Sequence, residues 1–166
     1  AKRLTAFDVT VLVSDPYIDP AEITDRGFER VEDLDAALAR ADIVTLHLPA
    51  LPEGRPLMGA REFGLMRPGD RFVNVSRGTL VDEPALREAL TSGHISGAAL
   101  DVFMREPIDD DDPILGFENV VLTPHIASGT RECWNRMSAA AVRNALDGID
   151  GRLDPALVIN PETLRG

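Results

Sequence analysis

The chain has 166 residues, 44 % of them hydrophobic, which suits one domain whose core is mainly aliphatic. Its formal net charge of −11 argues against nucleic-acid binding and against adsorption to anionic membranes, because both need basic surface. No apolar run is long enough to predict a membrane-spanning helix.

Short strands alternate with helices in the first half of the chain. The predicted elements are strands at 9–15, 28–31 and 42–49, a helix at 33–41, a short helix at 59–66 and a turn at 67–70. Residues 1–7 look like the last turns of a helix. Prolines end the first and third strands, at Pro16 and Pro49.

The second half continues the alternation. The predicted elements are strands at 71–76, 94–103 and 119–125, and helices at 83–92 and 130–146. Asp82 is the expected N-cap of the first of these helices, with Pro84 in its first turn and Gly93 just past its end. The tail at 151–166 has two prolines and is interpreted as a docking or connecting segment.

This order predicts an α/β fold with a parallel sheet and helices on both faces. Ligands of such sheets bind beyond the carboxyl ends of the strands. Five predicted strands end on conspicuous polar residues, which should share one rim: Asp15, His47, Ser76 with Arg77, Asp101 and His125.

Asp15 has two interpretations. An acidic residue after the second strand of a dinucleotide fold bonds the adenosine ribose and repels a 2′-phosphate, which favours NAD over NADP. It could equally be a turn aspartate in the sequence Asp-Pro.

Three residues suit hydride transfer to a 2-keto acid. Arg77 could bind the substrate carboxylate with both nitrogens, and His125 could protonate the developing alkoxide. Glu106 could orient the imidazole and keep it protonated. Taken singly, Arg77 could be a surface residue, His125 structural, and Glu106 a loop residue before Pro107.

The lone cysteine, Cys133, could be a catalytic thiol, but it lies in an alanine-rich helical pattern. A chain without internal disulfides fits a cytosolic enzyme.

The stretch NVSRGTLVDEPALREALTSGHISGAALDVFMREP (74–107), followed by NVVLTPHIAS (119–128), resembles the NAD-dependent D-2-hydroxyacid dehydrogenase family. This family includes phosphoglycerate dehydrogenases and glyoxylate/hydroxypyruvate reductases, and the likeness covers about 9–146. It implies a doubly wound, Rossmann-type NAD-binding domain and a small 2-hydroxy or 2-keto acid substrate. Formate dehydrogenases, close relatives, have glutamine in place of Glu106, so this glutamate favours keto-acid reduction.

The resemblance also implies roles for single residues. Arg77 binds substrate, Glu106 and His125 form the acid pair, Asp101 meets the nicotinamide carboxamide and Asp15 holds the ribose. The remaining cofactor-lining residues are His47, Leu48, Pro49, Val75, Ser76, Ala127 and Ser128, with Arg77 and His125 also at the cofactor. No metal ligand is predicted.

Two parts of the family pattern are not in this sequence. Counting back about 20 residues from Asp15 places the glycine-rich pyrophosphate loop, and a central strand, before Ala1. The bulk of a substrate domain is also expected outside the chain. We therefore expect residues 1–147 to form a partial dinucleotide-binding domain, and residues 148–166 a tail that returns to a substrate domain. We also expect that the chain alone turns over no substrate.

Other functions of the same fold stay open. The chain could be a non-catalytic NAD-sensing or protein-interaction module, or an inactive remnant. Trp134 could reach a substrate, although packing on the substrate domain is favoured. The resemblance implies a homodimer, and we expect a cytoplasmic protein.

Overall fold

The computed structural model describes residues 1–52 and 54–164. Glu53, in the loop before the 59–66 helix, and Arg165 and Gly166, at the end of the predicted tail, lie outside these described residues. The chain divides into two compact units, Ala1–His125 and Ile126–Gly166. The sequence predicts a boundary after residue 147, where the tail would return to a substrate domain, and this boundary stays a prediction.

The described residues alternate between strands and helices as the sequence predicts. The strands are β1 (Leu12–Val13), β2 (Glu29–Arg30), β3 (Ile43–Leu46), β4 (Asp70–Asn74), β5 (Ile95–Leu100) and β6 (Val120–Leu122). The α-helices are α1 (Pro20–Asp25), α2 (Leu34–Leu38), α3 (Ala60–Leu65), α4 (Glu83–Thr91) and α5 (Arg131–Ile149). Single 3-10 turns cover Leu4–Phe7, Gly78–Leu80, Pro113–Gly116, Pro155–Leu157 and Pro161–Leu164.

Every strand pair is parallel, and the strands form two sheets. One sheet is β1-β2, and the other has the order β3-β4-β5-β6. The α/β class is therefore confirmed. Within the described residues no strand joins the two sheets.

Helices α2, α3 and α4 bury one face of the four-stranded sheet. Leu38, Phe63 and Leu86, one from each helix, belong to the same buried cluster as Phe72 of β4. The rings of Phe63 and Phe72 meet edge to face, with centroids 5.2 Å apart. Among the described residues of this unit the helices cover one face, since Ile43 and Val121, which point to the other face by register, are 57 % and 65 % exposed.

The caps predicted for α4 are confirmed. The Asp82 carboxylate accepts a hydrogen bond from the Ala85 N–H at 3.2 Å, Pro84 lies in the first turn, and Gly93 has φ +72° just past the end. In contrast, α1 is not among the predicted elements, although Asp19 caps it and Pro20 begins it, and both are ordinary signals of a helix start.

Two predictions at the N-terminus need correction. Residues 4–7 form one 3-10 turn that ends at Asp8 in the left-handed region, not the end of an α-helix. The strand predicted at 9–15 is only Leu12–Val13, because its partner β2 offers two residues for pairing and Val9 is 48 % exposed.

The second unit contains α5, which Thr130 caps by accepting a hydrogen bond from the Cys133 N–H at 3.1 Å. The helix runs three residues beyond the predicted 130–146. None of its described residues is buried, and Trp134 is 62 % exposed.

Candidate active site

The loops that follow β4, β5 and β6 meet at the carboxyl edge of the four-stranded sheet. The parallel register brings these ends together: the Asp101 N–H donates to the Asn74 carbonyl at 2.9 Å, and the Thr123 N–H donates to the Leu100 carbonyl at 3.0 Å. The Thr123 hydroxyl also donates to the buried Asp101 carboxylate at 2.5 Å. The predicted shared rim therefore exists for the loops that carry Arg77, Asp101 and His125.

Glu106 and His125 form a hydrogen-bonded pair across this rim. Nδ1 of His125 lies 2.7 Å from Oε2 of Glu106, and the side chains are 47 % and 37 % exposed. Because a carboxylate only accepts, Nδ1 carries the proton. The ring atom Nε2 makes no hydrogen bond within the described part of the chain, so it is the nitrogen that can exchange a proton with a ligand.

The carboxylate of Glu106 is held in its ionised form. The hydrogen bond from His125 lowers the pKa of Glu106 below its ordinary value, and the Phe103 N–H, which donates to Oε1 at 3.0 Å, lowers it further. The positive charges of His125 and Arg77 add to this effect. An ionised Glu106 is the partner that a protonated imidazole requires.

Arg77 is exposed, and the backbone of the preceding residue orients its side chain. Its guanidinium donates to the Ser76 carbonyl at 2.6 Å, and among the described residues it forms no ion pair with a carboxylate. The positive charge of Arg77 is the smallest of the effects that lower the pKa of Glu106. Arg77 retains nitrogens for an anionic ligand.

The backbone of His125 is unusual. Its φ is +53°, in the left-handed region that non-glycine residues enter at a cost of order 1–3 kcal/mol. The His125 N–H donates to the Thr123 carbonyl at 3.1 Å, across Pro124. From this tight turn the His125 ring contacts Glu106.

Sequence reasoning overlooked Asn74, which shapes the turn that presents Arg77. Its buried side-chain amide accepts from the Ser76 N–H at 3.0 Å and donates to the Arg77 carbonyl at 2.9 Å. The sequence signal for this role is a polar residue inside the predicted strand 71–76, because a buried amide needs hydrogen-bond partners.

Three of the predicted cofactor residues, Ser76, Leu48 and His47, have structural partners. The buried Ser76 hydroxyl donates to the Leu46 carbonyl at 2.7 Å and accepts from the Leu48 N–H at 3.1 Å, which ties the ends of β3 and β4 together. His47 is exposed, with Nε2 3.0 Å from the Thr45 hydroxyl. Pro49 and Val75 are exposed at the same strand ends. A cofactor role for these residues stays a prediction.

Asp15 follows β1, in the two-stranded sheet. Its Oδ1 accepts from the Tyr17 N–H at 2.8 Å, which is the turn interaction expected for Asp-Pro. Its Oδ2 accepts no hydrogen bond from the described residues. Both interpretations of Asp15 are therefore compatible, because one oxygen shapes the turn and the other can accept from a ribose hydroxyl.

Ala127 and Ser128 belong to the second unit, just before α5, and their predicted contact with a cofactor stays a prediction. Among the described residues no three His, Cys, Asp or Glu side chains are grouped as a metal ion would require. No helix in the described ranges has the length and apolar character needed to cross a membrane.

The chain is similar to known proteins along most of its length. Residues 1–127 match the model of the D-isomer specific 2-hydroxyacid dehydrogenase NAD binding domain. The chain belongs to this family. A glyoxylate reductase of Thermofilum pendens is 41 % identical over 99 % of this chain and 48 % of its own length.

Two solved structures of the family are similar to this chain. A D-lactate dehydrogenase of Aquifex aeolicus, complexed with NAD and lactic acid, has a TM-score of 0.81 at 29 % identity, over 90 % of this chain and 49 % of its own. A D-isomer specific 2-hydroxyacid dehydrogenase of Xanthobacter autotrophicus Py2, in complex with NADPH and MES, has a TM-score of 0.62 at 40 % identity, over 72 % of this chain and 37 % of its own. The chain thus spans at most about half the length of these relatives.

Proposed function

We propose that this chain is the nucleotide-binding part of an oxidoreductase that transfers a hydride between NAD(H) and a small D-2-hydroxy or 2-keto acid. The observation that carries the proposal is the 2.7 Å pair of His125 and Glu106, with the charge of Arg77 acting on the same carboxylate. Membership of the 2-hydroxyacid dehydrogenase family supports it.

The three side chains take separate roles in keto-acid reduction. Arg77 binds the substrate carboxylate through two guanidinium nitrogens. Protonated His125 donates the proton on Nε2 to the carbonyl oxygen as negative charge develops there. Glu106 accepts from Nδ1, which fixes the ring orientation and stabilises the imidazolium. The bound nicotinamide cofactor supplies the hydride.

NAD is the proposed cofactor. The available oxygen of Asp15 would accept from the adenosine ribose, and its negative charge would repel the 2′-phosphate of NADP. Asp101, fixed at the end of β5 by Thr123, would meet the nicotinamide carboxamide. Calorimetric titration of NADH and NADPH, with Asp15→Asn as the comparison, tests this choice. We expect NADH to bind more tightly, and the variant to lose that preference.

The acid role of His125 is tested in the protein that carries this chain. We expect His125→Asn to lower kcat for glyoxylate or hydroxypyruvate reduction by roughly 10²–10⁴-fold, because the proton donor is removed. NADH binding should stay as in the wild type. A wild-type protein that oxidises no NADH with either acid, or a variant that keeps its full rate, would contradict the proposal.

The role of Arg77 has a different kinetic signature. Arg77→Lys keeps the charge but loses the planar pair of donors, so we expect kcat/KM to fall roughly 10- to 100-fold, mostly through KM. Arg105→Lys is the matched control, because Arg105 pairs with Asp109 at 2.6 Å on the surface. Equal effects of the two substitutions would remove Arg77 from the substrate site.

The acidic composition supports a protein without nucleic-acid or anionic-membrane partners. We further propose a cytoplasmic homodimer, on the basis of the single cysteine and the family resemblance. Sedimentation velocity of the protein that carries this chain would test the dimer.

A further inference from the structure

One peptide bond in the loop after β5 is held by groups from two other elements. The Met104 N–H donates to Oε1 of Glu83, the first residue of α4, at 2.7 Å. Gly78 lies against the same peptide: a Cβ added there would stand 1.9 Å from the Phe103 carbonyl carbon and 2.4 Å from the Met104 nitrogen. The Phe103–Met104 peptide is thus contacted on one side by Gly78 and bound by Glu83.

The bound peptide adjoins the acid pair. The N–H of Phe103 donates to Oε1 of Glu106, whose Oε2 meets His125. Residues 104–107 are exposed, and Arg105 bonds Asp109 within the same loop. Among the described residues, the Glu83–Met104 bond is the hydrogen bond that connects residues 103–107 to α4. Glu83 therefore ties the loop that carries Glu106 to the start of α4.

We propose that Glu83 is a positioning residue, which holds the Phe103–Met104 peptide and thereby places the Glu106 carboxylate against His125. Its catalytic meaning rests on the proposed function. The same contacts involve Arg77, because Gly78 follows Arg77 directly. Gly78 and Glu83 hold the loop of Glu106 against the turn of Arg77, so together they set the distance between the Glu106 carboxylate and the Arg77 guanidinium.

The test measures the pKa of Glu106 in the full chain from the side-chain carboxyl ¹³C shift as a function of pH, assigned with Glu106→Gln. The groups that act on this carboxyl are His125, the Phe103 N–H and Arg77. We expect Glu83→Ala to raise the Glu106 pKa toward the ordinary value, because the loop loses its anchor. Glu83→Gln retains an acceptor oxygen for Met104 and should keep most of the effect.

Glu88→Ala is the matched control, since it removes the same charge from the exposed side of the same helix. We expect it to leave the Glu106 pKa unchanged. A Glu83→Ala variant with the wild-type pKa, or a control that shifts it equally, would overturn the proposal.

A second measurement covers the case in which Glu83→Ala does not fold. Glu83→Asp keeps the negative charge at the start of α4 and withdraws the acceptor by one methylene. We expect the Met104 amide to exchange with solvent about tenfold faster or more in this variant. Unchanged exchange would overturn the proposal. Because neither readout is turnover, failure here is distinct from failure of the proposed hydride transfer.

Discussion

At the scale of single residues, the candidate site depends on the negative charge of Glu106 and on the proton that His125 carries on Nδ1. Glu106 receives hydrogen bonds on both oxygens, from His125 and from the Phe103 N–H, and is thereby kept ionised. His125 enters the left-handed region to reach it. The exposed position of both side chains leaves room for a ligand at Nε2.

The lowered pKa of Glu106 predicts a pH-dependent contribution to stability. A carboxyl whose folded pKa lies below its unfolded value stabilises the fold fully above the unfolded pKa, near the ordinary 4.5, and loses this as the pH falls through the folded pKa. We expect the difference in free energy of unfolding between wild type and Glu106→Gln to shrink in that acidic window. Urea unfolding across the pH range measures it.

Glu118→Gln serves as the control for this pH series. Glu118 is exposed and forms no ion pair within the described ranges, so we expect its substitution to change stability little at any pH. A wild-type to Glu106→Gln difference that stays constant across the acidic range would contradict the expected linkage.

At the scale of elements, the turn and helix between β4 and β5 organise the site. The 3-10 turn Gly78–Leu80 follows Arg77 directly, and α4 starts at Glu83 after the Asp82 cap. This short connection places Gly78 and Glu83 against the loop that carries Glu106. One βαβ unit therefore supplies Arg77, the proposed ligand of the substrate carboxylate, and Glu83, the proposed anchor of the Glu106 loop.

Gly78→Ala tests the close approach at this connection. The added Cβ would overlap the Phe103–Met104 backbone, so we expect unfolding to become easier by about 1–3 kcal/mol. Gly64→Ala in α3 is the control, because its Cβ meets nothing within 4 Å and alanine favours helix by up to about 1 kcal/mol. Urea denaturation that ranks the two variants equally would contradict this contact.

At the scale of the whole molecule, the first unit depends on one core between the four-stranded sheet and α2–α4. Phe72, at the centre of β4, is 0 % exposed and meets Phe63 edge to face. The rim residues stand at the ends of the strands that this core aligns. Loss of the core would therefore separate the loops of the site as well.

Phe72→Ala should lower the free energy of unfolding by about 3–5 kcal/mol, because it leaves a cavity in the core. Phe7→Ala is the matched control: Phe7 is 74 % exposed, so we expect a change within about 0.5 kcal/mol. Urea unfolding followed by circular dichroism measures both. Similar losses in the two variants would show that this cluster does not hold the unit together.

The kinds and order of the elements follow from local sequence, since apolar periodicity and helix caps involve residues close together in the chain. The Asp82 cap, Gly93 after α4, and the apolar runs of β3 to β6 are all local patterns of this kind. The chemistry of the predicted site residues is equally local, because Arg77, Glu106 and His125 lie in the stretches 74–107 and 119–128 that carry the family resemblance. The start of α1 at Asp19 and Pro20 is a local signal too, although α1 is not among the predicted elements.

Which of these residues touch depends on the tertiary fold. Glu106 and His125 are 19 positions apart, and Glu83 and Met104 are 21 apart, so their contacts depend on strand register and loop path. The amide of Asn74 and the missing Cβ of Gly78 acquire meaning only when neighbouring strand ends lie side by side. Local sequence fixes each residue's chemistry, whereas the parallel sheet brings distant residues within hydrogen-bond distance.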